Sequence, residues 1–443
     1  MVQENSGKLG LKEVIAMGVG AMVGGGIFSV LGLAMSTSGH AAPVAFALGG
    51  IIALLTGFSY AALGLRYRSD GGSFTYLERA FRSPNIAGLG GWLLLVGYIG
   101  TMGLYAYTFG VYGAALLGSE GNAAMHHLLE SLVLLVFLSI NLYGVKETGL
   151  AELIIVTAKV LILGLFAVIG LTTVRSDHLL PLFDRGLSAV FMGAALIFVA
   201  YEGFELIPNS VNEMEAPERN LRLGILISIV ITTAIYILVS LVATGNLTPE
   251  EVKKYGEYAL AEAARPFLGQ AGFVLIGVAA LFSTSSAINA TLFGTARLGL
   301  VMARERELPA VFSLRRRQND IPWASLLIIS GVTLVFVNAA NLTIISSFAS
   351  SSFLLIFFAI NLSAWRLRGE IRLRPIWPAL GMILSLASWL VLLAWLWQNQ
   401  KQSLGWITGF YAAVMAAELL FSERRLLWKK PMAAAPDDPG HKP

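Results

Sequence analysis

Long runs without a charged side chain constrain the fold of this sequence more than any other feature. Six stretches contain no Asp, Glu, Lys or Arg: residues 14–65, 83–119, 223–249, 266–296, 321–365 and 375–400. A helix that crosses a membrane needs about 20 mostly apolar residues, so each stretch holds at least one such helix. The chain has 56% hydrophobic and only 13% charged residues. A water-soluble protein of this composition could not cover its surface with polar side chains. We therefore predict an all-α polytopic membrane protein.

The polar joints between the apolar runs predict twelve transmembrane helices. Glycine and proline mark these joints, among them Gly39, Pro84, Pro181 and Pro322. The predicted helices cover residues 11–38, 42–65, 84–118, 127–145, 150–174, 186–211, 220–246, 264–303, 321–339, 342–365, 376–398 and 403–422. The polar stretch at 247–263 predicts a short surface helix.

Basic residues are distributed unevenly over the loops of this arrangement. Of the 31 Lys and Arg residues, only six fall on one side of the membrane: Arg175, Arg185, Lys253, Lys254, Arg265 and Lys401. Lys159 lies inside a predicted helix, and the others fall on the opposite side, which the positive-inside rule makes cytoplasmic. Both the N-terminus, residues 1–10, and a disordered tail at 429–443 are therefore predicted to be cytoplasmic.

Two predicted helices carry signs of a break in mid-membrane. Residues 24–26 of the first helix are all glycine, and each glycine weakens a helix by about 1 kcal/mol relative to alanine. The sixth helix carries Glu202 and Glu205 around Gly203, where a charged side chain costs roughly 2.5–3.5 kcal/mol. Broken backbone is tolerated in lipid only where it faces protein or a water-filled cavity.

Breaks five helices apart are typical of an inverted five-plus-five repeat, with a binding site between the broken helices. The first repeat would span residues 11–174 and the second 186–367, followed by the last two helices at 376–428. Two alternatives remain open. The glycines could serve only close helix packing, and Glu205 could bond only the backbone or Asn209.

Lys159 is the only Lys or Arg in the interior of a predicted span and not near one of its ends. Its ammonium group could extend to the cytoplasmic interface. It could instead remain buried and gain and lose a proton within the membrane. The sequence alone leaves both interpretations open.

Four segments resemble the amino acid–polyamine–organocation superfamily, most closely its prokaryotic proton-coupled amino-acid transporters. They are residues 20–28, 151–166, 198–204 with 213–220, and 281–290. The resemblance covers nearly the whole chain. It implies the leucine-transporter fold and a location in the prokaryotic cytoplasmic (inner) membrane.

The resemblance also implies a substrate site. Its members would be Ala21, Gly24, Gly25, Gly26, Phe198, Ala200, Tyr201, Glu202, Phe204 and Glu205. A substrate carboxylate would bind the amides of the three glycines. The substrate amine would bind carbonyl groups around Ala21, Phe198 and Ala200, and Tyr201 or Phe204 would gate the site.

In sodium-coupled relatives of this fold, a cation bridges helices 1 and 8. The resemblance implies that the Lys159 ammonium group replaces this cation and contacts the Gly20 carbonyl. Hydroxyl groups of Ser283, Thr284 or Ser286 would complete the contact. The alternative is that these hydroxyls bond only the backbone of their own helix.

Together these features predict proton-coupled symport of a neutral amino acid by alternating access. Glu202 stands where the family has a small or apolar residue, so transport or exchange of an amine, polyamine or cationic amino acid through Glu202 and Glu205 is the alternative. A membrane sensor without turnover is a third interpretation. With no HExxH or GxSxG motif, we expect no enzyme activity, metal or cofactor. The expected partners are the substrate, protons and membrane lipid, and not nucleic acid.

Overall fold

A computed structural model describes residues 8–69, 71–81, 83–144, 149–316 and 321–421. The predicted tail at 429–443 lies outside these described residues. Within them, the regular structure is helical except for an isolated parallel bridge between Leu9 and Met214. In this bridge, the Leu9 amide donates to the Glu213 carbonyl at 2.8 Å, and the Glu215 amide donates to the Leu9 carbonyl at 2.9 Å.

Apart from the interrupted first and sixth, the long apolar helices lie where the apolar runs predict them, with ends that differ by a few residues. In chain order they are α1 (Leu11–Met22), α2 (Gly26–Ser38), α3 (Ala42–Tyr67), α4 (Gly72–Phe81), α5 (Pro84–Leu116), α6 (Ala123–Tyr143), α7 (Gly149–Gly170), α8 (Leu187–Leu196), α9 (Pro217–Asn246), α10 (Pro249–Tyr255), α11 (Ala259–Ala263), α12 (Arg265–Arg304), α13 (Trp323–Ala339), α14 (Leu342–Arg366), α15 (Arg368–Ile371), α16 (Ile376–Asn399) and α17 (Lys401–Phe421). The predicted surface helix at 247–263 is two short helices, α10 and α11, joined by one 3₁₀ turn. The sequence predicts neither α4 nor the four-residue α15.

Eight helical stretches in the described part of the chain are long and apolar enough to cross a membrane. The number rises to nine when α8 and the bent 3₁₀ segment after it are taken as one span. This confirms the prediction of a polytopic membrane protein. Twelve spans remain a prediction, because that count requires dividing the stretch Gly26–Tyr67 at Gly39 and adding α13 and α17.

Small residues bring the interior helices close together, as is usual in membrane bundles. Gly50 on α3 packs against Thr233 on α9. Gly97 and Gly100 on α5 lie against aromatic side chains of α14, and Phe348 is one of them. Helices α3, α5, α9 and α14 therefore form a tightly packed frame around the interior.

The two interrupted helices lie inside this frame, and the outer helices carry the exposed apolar side chains. The side chains of residues 22–31 and 194–205 are all buried. In contrast, Leu161, Val335 and Trp397 are each at least 66% exposed. In a membrane protein such exposed apolar side chains face lipid, so the breaks are shielded from lipid by the surrounding helices.

Candidate functional site

Both helix breaks occur where the sequence predicts them. Helix α1 ends at Met22, and α2 begins at Gly26. Helix α8 ends at Leu196, and the chain continues in 3₁₀ turns over Phe198–Tyr201 and Phe204–Glu213. The axis bends by 56° at this second break. Each break frees backbone groups that a continuous helix would pair internally.

The two breaks contact each other, and two glycines allow this contact. Gly203 has a φ of +123°, and a Cβ atom there would lie 2.8 Å from the carbonyl carbon of Ala21. A Cβ atom on Gly26 would lie 2.7 Å from the Cα atom of Ala200. A side chain at either position would therefore push the two backbones apart. The segments predicted to bind the substrate carboxylate and amine are thus neighbours.

Tyr236 of α9 bridges the breaks, and sequence reasoning missed it. Its side chain is fully buried, and its hydroxyl oxygen lies 2.7 Å from the Met22 carbonyl and 2.9 Å from the Ala200 carbonyl. Because a hydroxyl group has one hydrogen, it donates to one carbonyl at a time. The available sequence signal was a tyrosine in an apolar span, whose hydroxyl needs a partner when buried.

Helix α12 holds the first break from the other side. The buried Ser283 hydroxyl donates to the Val23 carbonyl at 2.9 Å and also contacts the Gly24 carbonyl. Thr284 instead donates to the Ala280 carbonyl of its own helix at 2.8 Å. Ser286 is half-buried. Within the predicted hydroxyl cluster, Ser283 thus reaches the break, whereas Thr284 shows the alternative, own-helix bonding.

Lys159 is buried in the membrane interior, with 3% of its surface exposed. Its helix, α7, packs against both α1 and α12. One turn before it, Val156 lies directly against Gly20 of α1. The helix that carries Lys159 therefore lies beside the first break and the Ser283 helix, and the coupling site stays a prediction.

The acidic side chains of the second break face α5. Glu205 accepts the Gly203 amide at 2.7 Å, and its other carboxylate oxygen lies 3.4 Å from the Tyr98 hydroxyl. Glu202 faces the hydroxyl groups of Thr101 and Tyr105. Its buried Oε2 atom has no hydrogen-bond partner among the described residues. Glu205 thus bonds the backbone, which is one of the two alternatives that the sequence left open for it. Glu202 keeps its Oε2 atom as an available hydrogen-bond acceptor.

The predicted aromatic residues of the second break point the other way, toward α3 and α14. The Tyr201 hydroxyl donates to the Phe46 carbonyl of α3 at 2.5 Å. The rings of Phe198 and Phe204 lie 5.5 Å and 5.2 Å from the ring of Phe357 on α14. The structure therefore separates the predicted site residues into an acidic side and an aromatic side.

Buried broken helices within a bundle of apolar spans define a polytopic membrane protein with a polar interior. Residues 9–417 match the family model described as "Amino acid permease". The chain is 32% identical to the inner membrane transport protein YbaT of Escherichia coli, over 90% of this chain and 93% of that protein. It is 27% identical to the serine/threonine exchanger SteT of Bacillus subtilis, over 87% and 90% of the two chains.

The chain is also similar to a plant protein. The chain is 27% identical to the vacuolar cationic amino acid transporter 8 of Arabidopsis thaliana, over 79% of this chain and 61% of that protein. The match to the family model covers far more than half of the sequence. The chain therefore belongs to the amino acid permease family, within the amino acid–polyamine–organocation superfamily.

Proposed function

We propose that this chain is a secondary active transporter that couples inward movement of a proton to uptake of a neutral amino acid across the prokaryotic inner membrane. It would work by alternating access, in a twelve-helix leucine-transporter fold with both termini cytoplasmic. The observation that carries the proposal is the direct contact between the two buried helix breaks. Membership of the amino acid permease family and the relatives named as a transport protein and an exchanger support it.

The freed backbone groups suit the two charges of an amino acid. The amides of residues 24–26 lie at the N-terminus of α2, where the helix dipole favours a carboxylate. The carbonyl groups of Ala21, Phe198 and Ala200 offer acceptors to the substrate amine. Glu205 is engaged with the backbone, so it would shape the second break rather than bind the substrate.

Proton coupling would depend on Lys159. A buried ammonium group is stable only with polar partners, and the carbonyl groups of the first break with the Ser283 hydroxyl can supply them. Loss of the proton would weaken the contact between the Lys159 amine and the carbonyl groups of the first break. The contact between α7 and α1 would then change as well. Proton binding and the conformation of the first break would in this way be linked.

One observation favours a second candidate, transport of cationic amino acids or amines. The buried Glu202 carboxylate keeps an oxygen that no described residue occupies. A carboxylate in this position can bind a cationic side chain strongly. The relative named as a cationic amino acid transporter is consistent with this candidate.

Uptake into proteoliposomes tests both candidates. We expect radiolabelled L-alanine to accumulate when the interior is alkaline, and an excess of unlabelled arginine or putrescine to compete weakly. The Glu202→Gln variant should leave alanine uptake within about twofold, since it removes only the carboxylate charge. Strong competition by arginine or putrescine, abolished in Glu202→Gln, would establish the second candidate. Binding without accumulation of any tested amino acid or amine would indicate a sensor and contradict both.

A further inference from the structure

Helix α14 carries five serines in seven positions, residues 346–352, and all five are buried. Serine hydroxyls in membrane helices often bond a carbonyl group of their own helix, one turn earlier. Ser347 and Ser352 do so, at 3.1 Å from the Ile344 carbonyl and 3.0 Å from the Phe348 carbonyl. Ser351 is 2.7 Å from the Tyr411 hydroxyl and also accepts the Trp389 indole N–H.

The remaining two serines, Ser346 and Ser350, reach the second helix break. The Ser350 hydroxyl donates to the Leu196 carbonyl at 2.8 Å and accepts the Val199 amide at 3.0 Å. The Ser346 hydroxyl donates to the same Leu196 carbonyl at 2.9 Å. Two hydroxyls from a neighbouring helix thus converge on the backbone where α8 ends.

These contacts replace the hydrogen bonds that the break removes. In an α-helix the Leu196 carbonyl would accept the amide of Ala200, four residues on. Here that amide donates instead to the Ile197 carbonyl at 2.9 Å. The Leu196 carbonyl and the Val199 amide are therefore left without helical partners, and Ser350 satisfies both. Leaving buried backbone groups unpaired would be costly, so the interrupted geometry depends on this hydroxyl.

We propose that Ser350, assisted by Ser346, is a positioning residue for substrate binding. It fixes the backbone from Leu196 to Ala200, and with it the Ala200 carbonyl, which faces the first break 3.2 Å from the place of a Cβ atom on Gly26. The inference rests on the proposed function, in which this carbonyl binds the substrate amine. It extends the site to α14, a helix that none of the predicted site residues occupies.

The serine run supplies its own control variants. Ser350→Ala should raise the Kd for L-alanine about tenfold, because two buried backbone groups lose their partner. Ser346→Ala should raise it less, since the Leu196 carbonyl keeps the Ser350 hydroxyl. Ser347→Ala and Ser352→Ala remove hydroxyls from the same buried helix and should stay within about twofold of the parent. Ser350→Thr keeps the hydroxyl group and should restore most of the affinity.

Equal Kd values for Ser350→Ala and Ser347→Ala, both folded, would overturn the proposal, as would failure of Ser350→Thr to bind better than Ser350→Ala. If Ser350→Ala does not fold, the comparison of Kd values between Ser346→Ala and Ser347→Ala decides in the same way.

Hydrogen exchange of the substrate-free protein provides a readout independent of transport. Peptides covering residues 196–203 should exchange faster in Ser350→Ala than in Ser347→Ala, and equal rates would also overturn it. Absence of amino acid binding by the parent protein together with this faster exchange would reject the proposed function and retain the role of Ser350 in fixing the break.

Discussion

At residue scale, Gly203 joins a backbone requirement to a packing requirement. Its φ of +123° is unfavourable for any residue with a side chain, and a Cβ atom there would collide with the backbone of Ala21. Residues forced into such backbone regions cost about 1–3 kcal/mol, and the collision adds to that cost. We expect Gly203→Ala to lower the free energy of unfolding by at least this amount and to abolish amino acid uptake.

The melting temperature in detergent and uptake in proteoliposomes check this prediction. Gly164 on α7 is a matched control, because a Cβ atom there would meet nothing within 4 Å. Gly164→Ala should be neutral or slightly stabilising, since alanine favours a helix over glycine by about 1 kcal/mol. Equal melting temperatures for the two variants would contradict the claim that contact between the breaks excludes a side chain at Gly203.

Residues that are unusual for their stretch of sequence indicated some members of the site, but other members lie in stretches with no such signal. Glu202 and Glu205 were recognisable because a charge is rare in an apolar span. Tyr236 and Ser350 were not, because a hydroxyl in an apolar span is commonplace. Their importance depends on which backbone group each one meets across the bundle, and this information lies in the packing of α9 and α14 rather than in their own neighbourhoods.

At the scale of the element, breaks were easier to predict than surface helices. A glycine run or buried acid is visible within about ten residues, and both interruptions were placed correctly. The sequence does not predict α4, because its ten residues begin within the Gly71-Gly72 pair, which indicates a loop. The sequence predicts one surface helix at 247–263, whereas Gly256 begins a 3₁₀ turn that separates α10 from α11.

That turn closes over α2 and is held by a hydrogen bond from α5. The Tyr107 hydroxyl donates to a Glu257 carboxylate oxygen at 2.5 Å, and the Gly256 carbonyl lies against Gly32 of α2. A hydrogen bond to a charged group contributes about 1.5–3 kcal/mol. We expect Tyr107→Phe to accelerate hydrogen exchange in peptides covering residues 249–263 by about tenfold or more.

The control for this element is Tyr143→Phe, since Tyr143 is 79% exposed at the end of α6. Removal of the Tyr143 hydroxyl group should leave hydrogen exchange in residues 249–263 unchanged. Unaltered exchange in both variants would show that the turn is held by its packing on α2 and not by the Tyr107 hydroxyl.

At the scale of the whole molecule, Lys159 is where proton movement would be linked to conformation. We expect Lys159→Ala to bind L-alanine and to exchange it across the membrane, because the helix breaks remain intact. Accumulation driven by a pH gradient should be lost, and the initial uptake rate should no longer depend on pH. Uptake and counterflow in the same proteoliposomes measure both properties.

Lys401→Ala is the matched control, because Lys401 is an exposed lysine at the start of α17. This variant should keep proton-driven accumulation. If Lys159→Ala also accumulated alanine against its gradient to the same level as the parent, the lysine would not be the coupling group. The proton would then have to be carried elsewhere in the protein.

The sequence predicted the class of molecule because charge-free runs and hydrophobic content are properties of the whole chain. The count of twelve spans stays a prediction, because α13 and α17 do not meet the length and hydropathy of a membrane span on their own. The sequence also could not show that Phe198, Tyr201 and Phe204 turn away from the acidic side chains. Ring orientation follows from the packing of α3 and α14 around the second break.

The bridge between Leu9 and Met214 has a mechanical consequence. It ties the residues just before α1 to those just after the 3₁₀ segment Phe204–Glu213, so the two discontinuous helices share one anchor at that end. A movement that parts them there must first rupture two backbone hydrogen bonds. A movement that keeps them together rotates the two helices as one rigid body and leaves the bridge intact. The bridge thus sets a threshold between joint rotation of the two helices and their separation.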